Sequence, residues 1–317
     1  VRTRRTFVAG VVAAGALAHA PRAARAADLV RLRVAAIAIT DCAPFFAAQQ
    51  QGYFTANGLD VVTEAETGGV LGIPAVVAGA YDVVYTNMPS ALLAIGQGID
   101  LRFIAGGGEL NPPDTTALFI RRGEPLHTGK EFEGHTIGVN DTRGLQWMYA
   151  RGWVKATGGN PDAVTYRAVP FPQMVDALKN KQVDGIIPSE PFTSAAKSEP
   201  ALDLIANPGH VVFPKGRVAA WMVMGPYAAA HADALRRFVA AMDKGAQWFN
   251  ANLNTPAFAP FIAGYTKLDP ARVAAIAKGP TSVGISPADV RRMADLMRAN
   301  GVLTASFDPA AKIVVLR

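Results

Sequence analysis

The sequence holds a single cysteine, Cys42, in 317 residues. No internal disulfide can form, and metal clusters built on thiolates are excluded. Histidine is nearly as scarce. Beyond the N-terminal segment it is confined to His127, His135, His210 and His231, scattered without metal-ligand spacing. No H-E-x-x-H, G-x-S-x-G or P-loop occurs, so the familiar signatures of metal-assisted hydrolysis, acyl transfer and nucleotide-driven chemistry are missing. No catalytic set, metal site or cofactor is expected. Charged residues make up only 18% of the chain. No apolar run reaches the roughly 20 residues a membrane-spanning helix needs.

Basic charge is also scarcer than the total suggests. Of 31 basic residues five lie in the first 26 positions, which hold no acid; the remainder is formally +1 against its 25 acids. No basic stripe with interleaved aromatics remains, which argues against nucleic acid as a partner. Those first residues have the pattern of an export signal. Arg2, Arg4 and Arg5 precede a short apolar run, Val8 to Leu17, and Ala24-Arg25-Ala26 is a small-residue cleavage site. Thr3 to Val8 is similar to a twin-arginine signal, with Ala9 where a Lys is common. Residues 1–26 are therefore read as a targeting segment cleaved near Ala26, and the protein as exported and periplasmic.

The rest of the chain repeats one plan. Leu32 to Ile39 is a strand pattern, followed by a loop and a helix-like segment from Phe45 to Gly52. A second strand (Leu59 to Thr63), a Gly-rich turn into a helix, and a third strand after Asp82 complete the first copy. The second copy runs from Thr136 to Asn140, through Leu145 to Thr157, Val164 to Val169 and Gln173 to Lys179, to the strand after Asp184. Strand–helix–strand–helix–strand twice over predicts two α/β lobes, each on a mostly parallel sheet flanked by helices. Ala117 to Arg121 and Ala219 to Met224 are read as the two crossings between lobes. The first lobe then takes residues 27–118, the second 119–220, and residues 221–317 return to complete the first. Helices are expected over Leu235 to Asn250, Pro270 to Lys278 and Pro287 to Asn300, the last with Ser286 as cap and proline at its first position.

In open α/β sheets ligands bind beyond the carboxyl ends of the strands, and two such lobes facing one another form a clamp. The candidate residues are those that follow each strand. In the first lobe these are Asp41, Cys42 and Phe45, then Gly68 and Gly69, then Asn87 and Ser90. The two glycines either bring backbone amides to a ligand or form a plain turn; Ser90 either touches the ligand or caps the helix behind it. In the second lobe, Asn140, Thr142, Arg143 and Gly144 enter a helix directly after a strand. That suits a carboxylate or sulfonate, with Arg143 pairing in a bidentate manner or lying solvated. Phe171, Glu190 and Phe192 follow the next strands, and Trp221 on the return crossing is either an apolar wall or a core residue.

Several short motifs fall in a telling order: Ala43-Pro44-Phe45-Phe46, Gly52-Tyr53-Phe54, Gly58-Leu59-Asp60-Val61, Gly79-Ala80-Tyr81-Asp82, Glu133 to Gly138, and Glu190-Pro191-Phe192. Together they resemble the nitrate/sulfonate/taurine-type solute-binding proteins of ABC importers, relatives in fold of the proteins that bind thiamine-pyrimidine precursors. The resemblance implies a type II periplasmic binding protein fold that captures a small molecule and delivers it to a membrane permease driven by a cytoplasmic ATPase. The protein would meet the membrane only through that permease and act as a monomer. It also implies ligand contacts at Asp41, Gly69, Asn87, Thr142 and Glu190. Arg143 with Phe45, Phe171 and Phe192 suits an aromatic or aliphatic carboxylate or sulfonate. Two alternatives remain open. One is a periplasmic sensor subunit with the same clamp. The other is a pyrimidine-forming enzyme on this fold, which the single cysteine and the export signal disfavour.

Overall fold

The structure is a computed structural model describing residues 29–66, 69–110, 117–213, 215–274 and 276–316. The expected export signal and Gly68 lie outside these residues. Among those described, no helix is long and apolar enough to cross a membrane.

Among the described residues twelve strands form two five-stranded sheets and a short ribbon. The first sheet takes β1 (Val30–Ile37), β2 (Leu59–Glu66), β3 (Val83–Asn87) and β4 (Leu101–Gly106). The ribbon strand β5 (Glu109–Leu110) follows. The second sheet takes β6 (Leu118–Arg121), β7 (Thr136–Val139), β8 (Thr165–Ala168), β9 (Gly185–Ile186) and β10 (Leu202–Ala206). The chain then returns through β11 (Gly216–Arg217) and β12 (Ala219–Met224).

The spatial orders are β2-β1-β3-β12-β4 and β10-β6-β9-β7-β8. β1 pairs in parallel with β2 and β3, and β7 likewise with β8 and β9. Parallel strands covered by helices on both faces have little use for alternation, which is why β3 is buried at every position. The two crossing segments enter as antiparallel strands. β12 lies between β3 and β4, and β6 lies against β9 and β10. Both sheets are therefore mixed, with their parallel core as expected and one reversed strand apiece. Beside these crossings β5 and β11 pair with each other, so the two routes between lobes run side by side.

The duplication extends to hydrogen bonds. The Asp82 carboxylate accepts from the Arg33 amide at 2.8 Å, and its own amide donates to the Arg33 carbonyl at 2.9 Å. Asp184 does the same with Thr136, at 2.9 and 2.8 Å. In each lobe an aspartate thus pins the start of the third strand to the first.

The C-terminal helices cover the first sheet. Ala232–Asn252 buries Leu235, Phe238, Met242 and Phe249, spaced at three to seven residues along one face, and packs on Ala43–Gln50. The helix Pro287–Ala299 begins at a capping box of Ser286 and Asp289, as the sequence indicates. Two features depart from expectation. The helix at Pro270 is short, Pro270–Ala274, and a further helix, Phe258–Thr266, precedes it. There Phe258, Phe261 and Ile262 form a small separate core with Ala43, Ala47 and Phe249.

Candidate ligand-binding cleft

The carboxyl ends of the strands in both sheets face a common cleft. From the first lobe it is lined by Ile37 at the end of β1, Ile39 and Asp41 after it, and by Tyr85 and Asn87 of β3. Glu109 and Leu110 of the ribbon add to this wall, with Val218 and Ala219 at the return crossing. The second lobe supplies Asn140 after β7, Leu145, Gln146 and Tyr149 from the helix Leu145–Ala156, Phe171 after β8 and Ser189 after β9. The open space at its centre is only about 30 Å³, so the lobes stand nearly closed.

Direct hydrogen bonds hold them so. The Ser90 hydroxyl in the first lobe donates to the Asp141 carboxylate in the second at 2.8 Å, with both residues buried. The Thr40 amide donates to the Glu190 carbonyl at 3.0 Å. Gly144 is packed against residues of both lobes. A Cβ there would stand 2.6 Å from Asp141 Oδ2 and 3.0 Å from Asn87 Nδ2.

Asp41 is a strongly perturbed group of the cleft. It retains some accessible surface there, yet burial pushes its carboxyl up to about 6; the Tyr85 hydroxyl, donating at 3.3 Å, and the Arg217 guanidinium oppose the rise. The Tyr85 phenol is itself raised by burial and the nearby Asp41 charge. Arg217 is buried, and its guanidinium donates to the Gly107 carbonyl at 2.6 Å and to Ser282 Oγ at 2.9 Å. It pairs with Glu109 at 3.6 Å. Across the cleft, Asn140 Oδ1 is buried without a hydrogen-bond partner.

Of the residues singled out in the sequence, Asp41, Asn87, Asn140 and Phe171 line this cleft. Gly144 shapes it by proximity, and Ser90 by its bond to Asp141. Ser90 is not the helix cap: Asn87 is, its side chain accepting from the Ser90 amide at 2.9 Å. Other positions turn elsewhere. Cys42, Phe45 and Trp221 are fully buried in the first-lobe core, where the Phe45 ring lies 5.0 Å from Trp221 and 5.3 Å from Phe54. Burial raises the Cys42 thiol well above its ordinary range, so it stays protonated and inert.

The Glu190 carboxylate bends back to accept from Ser194 Oγ at 2.8 Å and from the Ser194 amide at 3.1 Å, holding the start of the helix Phe192–Lys197. Burial raises its pKa while those bonds oppose the rise. Phe192 stacks behind Phe171 at 6.4 Å. Thr142 and Arg143 face a separate outer groove of about 550 Å³ with Trp147 and Arg151. Gly69 begins the helix Gly69–Val77.

Tyr85, Glu109, Gln146, Tyr149 and Ser189 are lining residues that the sequence reading did not select as site residues. Two signals were available. Tyr85 is two residues from Asn87 on one strand face, and Gln146 and Tyr149 are three apart on one helix face. Glu109 lies in a two-residue strand with no pattern to mark it.

Among the described residues no three His, Cys, Asp or Glu side chains converge on a point that could hold a metal. The family model described as NMT1/THI5 like matches residues 39–254, well over half of the chain. The protein belongs to the NMT1/THI5-like family.

Among the solved structures similar to this family member is the alkanesulfonate-binding protein SsuA from Xanthomonas axonopodis pv. citri bound to MOPS, with a TM-score of 0.77 and 17% identity. The match covers 91% of this chain and 99% of that one. The periplasmic nitrate-binding protein NrtA from Synechocystis PCC 6803 matches with a TM-score of 0.75 and 14% identity, over 90% of this chain and 85% of that one. These likenesses establish the α/β type II periplasmic binding protein fold. In sequence, the bicarbonate transport ATP-binding protein CmpC of a Synechocystis strain is 28% identical over 197 residues, 55% of this chain. This chain spans about 28% of the length of the curated relatives it matches.

Proposed function

We propose that this protein is the substrate-capturing component of an ABC-type importer, closing on a small molecule and releasing it to a membrane permease. The observation that carries this reading is the nearly closed cleft, of mixed polar and apolar lining, at the facing strand ends of two sheets joined by paired crossings. In this reading one jaw is built on the first sheet, near the expected 27–118 and 221–317 but gaining 219–220 with β12 and ceding residue 118 to β6; the other jaw is built on the second sheet, and the protein works in the periplasm as a monomer. The fold neighbours bind sulfonate or nitrate, and the relatives in sequence belong to bicarbonate and nitrate import.

An anionic group on the ligand fits the helix Leu145–Ala156. Its start is capped by no side chain, and its first residues, Leu145 and Gln146, line the cleft. Backbone amides and the helix dipole favour negative charge at such a point. Arg143 turns its side chain to the outer groove, so the amides and not a guanidinium would carry this interaction.

The test is thermal stability and calorimetry of the purified chain against small sulfonates, carboxylates, nitrate and bicarbonate. A ligand at about 100 times its dissociation constant should add about 2.7 kcal/mol to stability. Recovery of the bound compound unchanged supports capture, whereas its chemical conversion would overturn the reading.

A further inference from the structure

A second concavity lies on the seam between the lobes, outside the cleft. The outer groove of about 550 Å³ takes Ile73, Leu93 and Gln97 from the first lobe and Thr142, Arg143 and Trp147 from the second. That volume is ordinary for a small-molecule site, whereas the open space at the cleft centre is about 30 Å³. The two hollows share no lining residue. Ser90 borders the groove, and its bond to the buried Asp141 is part of what holds the seam beneath it.

The groove is apolar in its body and positive at one end. Ile73 is buried, Leu93 and Trp147 are half-buried, and none of the described residues lining it is an aspartate or glutamate. Two arginines line it and they are not equivalent. Arg151 is committed: it pairs with Asp162 at 2.7 Å and lies over the Trp147 ring, 5.0 Å from its centre. Arg143 is exposed, and among the described residues its guanidinium has no hydrogen-bond or ion-pair partner. The neighbouring Asp141 does not neutralise it, because that carboxylate accepts from the Ser90 hydroxyl and from the Arg143 amide, each at 2.8 Å. A solvated arginine on a polar surface would signify nothing. Here it stands beside apolar side chains that two separate lobes contribute, which is the composition of a site for a molecule with an apolar body and an acid group.

We propose that this groove is a second binding site, for an amphipathic monocarboxylate whose apolar body lies on Leu93 and Trp147 and whose acid group pairs with the Arg143 guanidinium. Its occupant acts as an effector. It touches Leu93 and Gln97 on one lobe and Arg143 and Trp147 on the other, so it is held fully only when the lobes are together. It therefore favours the closed clamp, and by linkage it tightens the hold on whatever the cleft contains. The proposal goes beyond the capture reading, since no residue it invokes lines the cleft.

The test is titration calorimetry of the full chain with 2-naphthoate, set against 2-naphthalenemethanol, which lacks the charge, and acetate, which lacks the apolar body. Naphthoate is expected to bind about tenfold or more tightly than either. Arg143→Gln should lose about tenfold or more of that affinity, and Arg143→Lys should keep most of it. Gln97→Glu brings a like charge to the groove from the first lobe and should weaken naphthoate about threefold or more. All three variants should melt cooperatively at the parent's temperature, because the altered side chains are exposed. No binding of naphthoate by the parent, equal binding of the alcohol, or unchanged affinity in Arg143→Gln overturns the site. Loss in Arg143→Gln with none in Gln97→Glu confines the probe to one lobe and overturns its role as an effector of closure. Each of these results leaves the importer reading to its own test.

Discussion

Asp41 is held in a place where an ionised carboxylate is unwelcome, and folding stability should record it. The groups around it are Tyr85 from β3, Glu109 and Arg217 from the ribbon, Cys42 in its own turn and Tyr265 from the helix Phe258–Thr266. Its pKa stands near 6 when folded against 3.8 for the free group, so the folded state binds more protons between those values. Stability therefore falls as pH rises from about 4 to 6 and stays lower above that, by up to about 3 kcal/mol. Asp41→Asn removes the titrating group. We expect urea melts to show the variant more stable than the parent at pH 8 and level with it near pH 4; equal differences at both values would refute the assignment.

Phe45 presents the opposite case. Its ring contacts Trp221, Phe54 and Phe238 in the core, so Phe45→Ala is expected to lower stability by about 3–5 kcal/mol without altering the cleft's polar groups. Loss of ligand affinity at unchanged stability would return Phe45 to the site. The two residues show what the sequence could and could not reveal. Both follow β1, and strand-end logic selects both. Which of them turns to the cleft depends on a short turn, Thr40–Cys42, whose direction no periodicity encodes.

The duplicated strand–helix plan was legible because apolar runs, glycine punctuation and two aspartates recur at nearly constant offset. Those aspartates turn out to perform the same backbone pinning in each lobe. The reversed strands β6 and β12 were readable as crossings but not in their pairing, since an apolar run has no preferred direction. Contacts between lobes were less legible still, because they join residues some 50 to 150 positions apart. Ser90 and Asp141 are such a pair. A hydrogen bond to a charged group contributes about 1.5–3 kcal/mol, so Ser90→Ala should shift the closed-to-open ratio tenfold or more toward open. Gly144→Ala acts on the same seam by wedging a methyl group between Asp141 and Asn87. Both variants are expected to raise the radius of gyration of the ligand-free protein by small-angle scattering while the melting transition remains cooperative. An unchanged radius in both would show that other contacts hold the lobes together.

For the whole molecule, a compact two-lobed chain of this size has a radius of gyration of about 20 Å. The parent protein should stand near that value, and ligand should bring Ser90→Ala back to it. The placement of β12 has a different consequence, in the order in which the molecule is made. The second sheet is drawn entirely from residues 118–206, so it is whole once that stretch has been synthesised. The first sheet begins earlier and finishes later, because β12, residues 219–224, fills the gap between β3 and β4. A growing chain that ends before it has a completed second lobe and a first lobe split down the middle, with β4 detached from its neighbours. The lobe that starts first is thus the last to become stable, and for most of its synthesis the chain cannot close on anything.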